Sequence, residues 1–180
     1  MSKLGYMKIV NLGSHAFAGG LMIVDGRGLP LDFRYTDPVQ PSRVQQILYG
    51  KALDRHVRQD VIFKHLAEKM EPKPAMLLVD DELLLGLASS VPMAMVLETR
   101  LSPLRELAQL QTVSETEYLL PAAETGSPLR IKLAAAEPGL AEKVAELLLE
   151  AVSEGLDPVE PVNRIRGAVE TLCAPSSAHE

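Results

Sequence analysis

Apolar positions in the first part of the chain fall into three runs separated by polar, glycine-containing breaks, the spacing of strands joined by short turns. The first run lies in "YMKIVNLGSH", and "GGLMIVDGRGLPLDFRYTDP" holds two more around Asp25-Gly26-Arg27-Gly28. Glycine accepts positive φ without a Cβ clash, so this break predicts a hairpin turn. Three antiparallel strands follow, near residues 7–13, 19–25 and 29–36, with the glycines of "GSHAFAGG" allowing a tight connection between the first two. Pro38 and Pro41 stop the third strand, because proline has no amide to give to a ladder. Ser42 stands where an N-cap would be, and Val44, Ile47, Leu48, Leu53, Val57, Val61 and Leu66 keep a roughly helical period. They predict a long helix over 43–70, with Gly50 as a point of bending. "EPKP" ends it. The continuous apolar run "AMLLVDD" reads as a strand buried on both faces, and "VPMAMVLE" as another, with a short helix over 83–90 between them.

After Arg100 the pattern changes to the polar, irregular stretch "SPLRELAQLQTVSETEYLLPA". A second hairpin is expected in "EYLLPAAETGSPLRIKLA", turning at Thr125-Gly126-Ser127-Pro128. Leu140, Val144, Leu147, Leu148 and Val152 fall in phase on an amphipathic helix that Gly155 closes. Asp157-Pro158 with Glu160 opens a last helix, lined by Val162, Ile165, Val169 and Leu172. The fold class is therefore α/β or α+β: a mixed sheet with an N-terminal antiparallel meander, plus a C-terminal hairpin and two helices. The expected organisation is a core over 1–100, an extension over 101–173 packed on it, and a disordered tail over 174–180. The extension has few partners of its own, so its helices are expected to contact the core, a partner protein or a second copy of the chain.

Composition narrows the function. With 180 residues and 47% apolar content the chain can build a sizeable core. A formal charge of −6 argues against coating nucleic acid with the whole surface, although a local basic patch stays open. One cysteine, Cys173, excludes an internal disulfide and a cysteine-rich zinc site, and reads as a packing residue. The N-terminus lacks the apolar segment of a signal peptide, and no apolar run approaches the roughly 18 residues needed to span a bilayer. A cytoplasmic protein without membrane contact is expected.

Two constellations carry candidate chemistry. Asp80, Asp81 and Glu82 close the "LLVDD" strand, where carboxylates could hold Mg²⁺ or Mn²⁺; Asp80 and Asp81 are the candidate ligands, with Asp25 as a third. The structural alternative is that aspartates at strand ends form turns. Arg43, Lys51, Arg55 and Arg58 are spaced to line one side of the long helix, giving a candidate stripe for nucleic-acid phosphates or an acidic partner, to which Arg27 and Arg34 could add. The alternative there is a solvated helix face with local pairs such as Asp54 with Arg58. Histidines offer less. His56 and His65 lie nine residues apart, on opposite sides of a helix, and neither a serine-hydrolase elbow surrounds Ser14 and His15 nor a phosphate loop the nearby glycines.

The order of elements over residues 6–98, three strands, a long helix, a strand ending in "LLVDD" and then "LLLGLASSVPMAMVLE", resembles the ribonuclease H-like fold of endonuclease V and of the C-terminal nuclease half of the excision-repair protein UvrC. The resemblance implies a catalytic aspartate on the first strand and another at the end of the fourth, matched by Asp80 or Asp81. The first strand departs from it, offering Asn11 and Ser14 in place of an acid. The expectation is a non-catalytic binding or assembly subunit, of a complex that handles nucleic acid, using the 43–69 helix for nucleic acid and the C-terminal helices for protein contact, and needing no cofactor. The alternative is a Mg²⁺- or Mn²⁺-dependent nuclease.

Overall fold

The computed structural model describes residues 2–102, 109–122 and 126–174. Eight strands form one sheet: β1 Leu4–Gly13, β2 Ala16–Val24, β3 Pro30–Tyr35, β4 Met76–Val79, β5 Met93–Glu98, β6 Gln111–Thr112, β7 Glu117–Leu120 and β8 Leu129–Lys132. Their spatial order is β3-β2-β1-β4-β5-β8-β7-β6. The meander β1–β3 is antiparallel, β4 runs parallel to both β1 and β5, and β8 closes antiparallel on β5. The second hairpin, β7 with β8, thus extends the same sheet. Of the tail expected over 174–180, residues 175–180 lie outside the described residues, as does Thr125 of the expected turn. The helix expected over 83–90 is a single 3-10 turn, Glu82–Leu84, opened by Asp81, whose Oδ1 accepts from the Leu83 amide at 3.0 Å.

Strand alternation sends side chains to two separate cores. On one face Met7, Ile9, Phe17, Leu21, Leu77, Val79 and Met95 pack under the helical layer that begins at Leu53, with Leu53, Val57, Ile62, Phe63 and Leu66 facing them. On the other, Tyr6, Val10, Ala18, Met22, Leu78, Val96 and Ile131 pack under α4 (Leu140–Ser153) and α5 (Glu160–Cys173). Two adjacent glycines in the middle of β2 let both layers come close. A Cβ on Gly19 would overlap Ile62 Cγ2, and one on Gly20 would stand 2.5 Å from Ile165 Cγ2. These glycines thus serve helix packing. The β1–β2 turn is made instead by Gly13, Ser14 and His15, all at positive φ.

The helix over 43–70 is broken into pieces. α1 (Arg43–Tyr49) ends at Gly50, whose φ of 50° leaves the helical region, and a 3-10 turn, Gly50–Ala52, leads into α2 (Leu53–His56). Val57–Phe63 is then π-helical before α3 (Lys64–Glu68). A π turn takes one residue more than an α turn, so the buried position after Val57 is Ile62, at 0% exposure, and the expected Val61 is turned out at 38%. α4 also shifts its phase by about one residue, burying Ala141, Val144, Ala145, Leu148 and Ala151, because the small alanines allow close approach to the sheet. α5 starts two residues later than expected, at Glu160, and Leu172 stays half exposed.

Candidate functional site beside the end of β4

The acids at 80–82 follow directly on β4, which pairs with β1 in the register Met7 with Val79. One step further along both strands, Lys8 stands beside Asp80. The two side chains form an ion pair, Lys8 Nζ to Asp80 Oδ2, each about 15% exposed. Met7, Ile9 and Val79 belong to the core under the helical layer that begins at Leu53, so alternation turns Lys8 and Asp80 to the α4–α5 side. Asp81 points the other way, to Arg58 of the π-helical segment, with which it pairs. The Arg58 guanidinium also lies 5.7 Å from the centre of the Phe17 ring. Glu82, mostly exposed, has Lys132 of β8 at 3.5 Å. Each acid therefore has its own cation, and the two aspartates diverge across the sheet.

Asp25 is elsewhere. It follows Val24, which pairs with Leu4 at the start of β1, so it lies about five residue levels, roughly 16 Å along the strands, from Asp80. Its carboxylate shapes the β2–β3 turn, accepting from the Arg27 amide at 3.0 Å and the Leu29 amide at 2.9 Å. From the α5 side Arg164 Nη1 donates to the Gly28 carbonyl at 2.7 Å and holds this turn down. Asn11 and Ser14 are not level with Asp80 either. Asn11 lies three residues beyond Lys8, about 10 Å, and its Oδ1 accepts from the Gly13 amide at 2.8 Å, while Ser14 is at the hairpin tip. Parallel register brings Lys8 to the position that the sequence reading gave to Asn11 and Ser14. A signal for it was present: a lone cation between Met7 and Ile9 in an apolar strand needs a carboxylate on a neighbouring strand.

A divalent ion of the Mg²⁺ type requires converging oxygen ligands. The residues here do not fit one: Asp80 faces an ammonium, Asp81 faces away, and Asp25 is at the opposite end of the sheet. Among the described residues no three His, Cys, Asp or Glu side chains cluster as a metal site would need. Within this group of residues Asp80 Oδ1 and Arg58 Nε are buried without a hydrogen-bond partner.

The cation stripe divides in two. Arg43, Lys51 and Arg55 are exposed, with Arg55 Nε donating to Gln59 Oε1 at 2.9 Å. Arg58 turns inward to Asp81 and is less than a quarter exposed. The break at Gly50 removes the common helical register assumed for the four, so they do not form one line. Asp54 pairs with His15 at 2.9 Å and not with Arg58. His56 pairs with Asp60, and the apolar faces of α4 and α5, expected to meet a partner, are largely buried on this chain's own sheet. Among the described residues no helix is long and apolar enough to cross a membrane.

No protein-family model matches the chain, and no curated protein matches it in sequence. Among solved structures it is similar to endonuclease V from Streptomyces avermitilis, with a TM-score of 0.60 and 11% identity over 94% of this chain and 80% of that one. It is also similar to Ciona intestinalis endonuclease V in complex with a 24mer DNA containing an inosine followed by a ribo-adenosine, with a TM-score of 0.53 and 10% identity over 95% and 87%. A third similarity is to Marinitoga piezophila Argonaute in complex with a 5′ OH guide RNA, with a TM-score of 0.53 and 10% identity over 93% of this chain and 29% of that one. At these identities the likeness is one of fold. The mixed sheet resembles the ribonuclease H-like fold of endonuclease V, as the order of elements led one to expect.

Proposed function

We propose that the chain is a non-catalytic binding or assembly subunit built on a ribonuclease H-like fold. The observation that supports this reading is the Lys8–Asp80 ion pair. Metal-assisted phosphoryl transfer needs carboxylates converging from adjacent strands on a divalent ion. Lys8 puts a positive charge beside Asp80, where a second carboxylate would be required, and its ammonium competes with a cation for the same oxygen. Arg58 engages Asp81 in the same way on the opposite face.

The likeness to endonuclease V favours a second reading, a Mg²⁺- or Mn²⁺-dependent nuclease using Asp80 and Asp81. One assay separates the two. The purified chain is incubated with an inosine-containing DNA, of the kind bound by the Ciona protein, in Mg²⁺ and in Mn²⁺, and divalent binding is measured by calorimetry. The expected outcome is intact DNA and no stoichiometric ion binding. Cleavage that disappears in Asp80→Asn would establish the nuclease and end the non-catalytic reading.

A further inference from the structure

β3 is one edge of the sheet and the two-residue β6 is the other. So short an edge gives an incoming strand little to pair with, whereas β3 presents Pro30–Tyr35 with no neighbour on its outer side among the described residues. The Thr36 amide donates to the Gly19 carbonyl at 2.9 Å, and hydrogen-bonded positions alternate along an antiparallel ladder. Arg34 and Asp32, opposite Leu21 and Ile23, therefore turn their backbone groups toward β2. Phe33 and Tyr35 turn theirs outward, and Leu31 stands where the register with β2 shifts. The side chains divide in the same way. Phe33 leans over Gly20 on the α5 side, and the Tyr35 ring stacks on it at a centroid distance of 6.1 Å. Asp32 and Arg34 lie on the opposite face, joined by a 2.7 Å ion pair. At the two ends of this stretch Leu31 and Tyr35 are 47% and 46% exposed.

The pattern Leu31-Asp32-Phe33-Arg34-Tyr35 selects its own partner. Two copies of β3, set antiparallel about a twofold axis at Phe33, place Phe33 opposite itself and Leu31 opposite Tyr35, so that outward backbone groups meet outward backbone groups. Asp32 then faces Arg34 of the second copy at the non-hydrogen-bonded positions, where opposed side chains are closest, and symmetry makes this contact twice. The next registers that keep the backbone groups matched are slipped by two residues. One sets Asp32 against Asp32 and the other sets Arg34 against Arg34, and like charges directly opposite each other are unfavourable. The two charges thus admit one self-pairing and exclude its neighbours.

We infer that β3 is the interface of a homodimer, in which two copies of the chain join edge to edge into one continuous sheet. The inference goes beyond the binding-subunit reading and is independent of it, since the cleavage assay does not bear on it. Sedimentation equilibrium of the full chain and of two oppositely charged variants tests it. Asp32→Arg leaves only cations at the two positions and Arg34→Asp leaves only acids, so each variant repels its own copy. One chain of each kind restores both charge pairs across the interface. The expected result is a dimer of the unaltered chain, self-association about tenfold weaker for either variant alone, and a dimer again in their equimolar mixture. Loss of the ion pair within each chain cannot produce that recovery. On the unaltered chain, exchange of the outward Phe33 and Tyr35 amides, followed by NMR, should slow as concentration rises through the dimerisation range, a readout that needs no substitution. The mass of a single chain at every concentration from micromolar to millimolar would overturn the assignment. So would variants that fold but stay apart on mixing, or Phe33 and Tyr35 amides that exchange equally fast in monomer and dimer.

Discussion

Lys8, in the middle of β1, and Asp80, just past the end of β4, meet as an ion pair, with side chains 15% and 16% exposed. Breaking a pair so poorly solvated leaves an uncompensated charge, whereas replacing both partners by apolar groups removes two desolvation penalties together. Asp80 Oδ1 already lacks a hydrogen-bond partner, which makes the aspartate costly to keep. Lys8→Met alone is expected to lower stability by about 2 to 3 kcal/mol, and Lys8→Met with Asp80→Leu to recover most of it. Urea unfolding of the two variants measures the difference. Equal losses in both would mean that the pair contributes little and that Asp80 is held by something else.

Arg58 and Arg55 are three residues apart and are expected to behave differently. Arg58 pairs with Asp81 and lies over Phe17, so Arg58→Ala should destabilise the fold by about 2 kcal/mol through the stranded carboxylate. Arg55 is exposed and bonds only Gln59 among the described residues, so Arg55→Ala should stay within about 0.5 kcal/mol. Thermal melts of both decide it. If the four cations acted as one phosphate-binding stripe, the variants would match in stability and each would flatten the salt dependence of DNA binding.

Gly19 and Gly20 set how near two helical layers can come to β2 from opposite sides. A Cβ on Gly19 would collide with Ile62 and stand 2.9 Å from Leu66 Cδ1; on Gly20 it would meet Ile165 and stand 2.9 Å from Val169 Cγ2. Overpacking of this kind destabilises by about 1 to 3 kcal/mol. Gly19→Ala should be eased by Ile62→Ala and not by Val169→Ala, and Gly20→Ala the reverse. A pair of double-mutant cycles reads the preference. Rescue without regard to face would contradict the two-sided packing.

What was legible in the sequence followed from local rules. The meander is written in apolar runs and in Asp25-Gly26-Arg27-Gly28, where backbone chemistry forces a turn. β4 shows as a short apolar run because both of its faces are covered. The site was less legible, since Lys8 meets Asp80 only through parallel register between strands separated by the whole of the 43–68 region, and no local pattern encodes that register. The exposed face of α1 was hidden for the opposite reason. Val44, Ile47 and Leu48 have a core-facing period, and only the break at Gly50 shows that the period leads away from the core.

The π-helical segment gives the most direct check on how the long helical region meets the sheet. A regular α-helix continuing from Val57 would place Val61 over β2 and turn Ile62 toward solvent. The observed arrangement buries Ile62 completely against Gly19 and leaves Val61 38% exposed, because the wider turn absorbs one residue between Val57 and the next contact. Val61→Ser should therefore change stability by less than about 0.5 kcal/mol, and Ile62→Ala should cost about 2 to 5 kcal/mol through lost burial and the cavity left behind. Denaturant midpoints of the two variants settle the phase. The reverse order, with Val61 the sensitive position, would mean that the segment is α-helical in solution, which would rotate Arg58 relative to Asp81 and reopen the assignment of that pair.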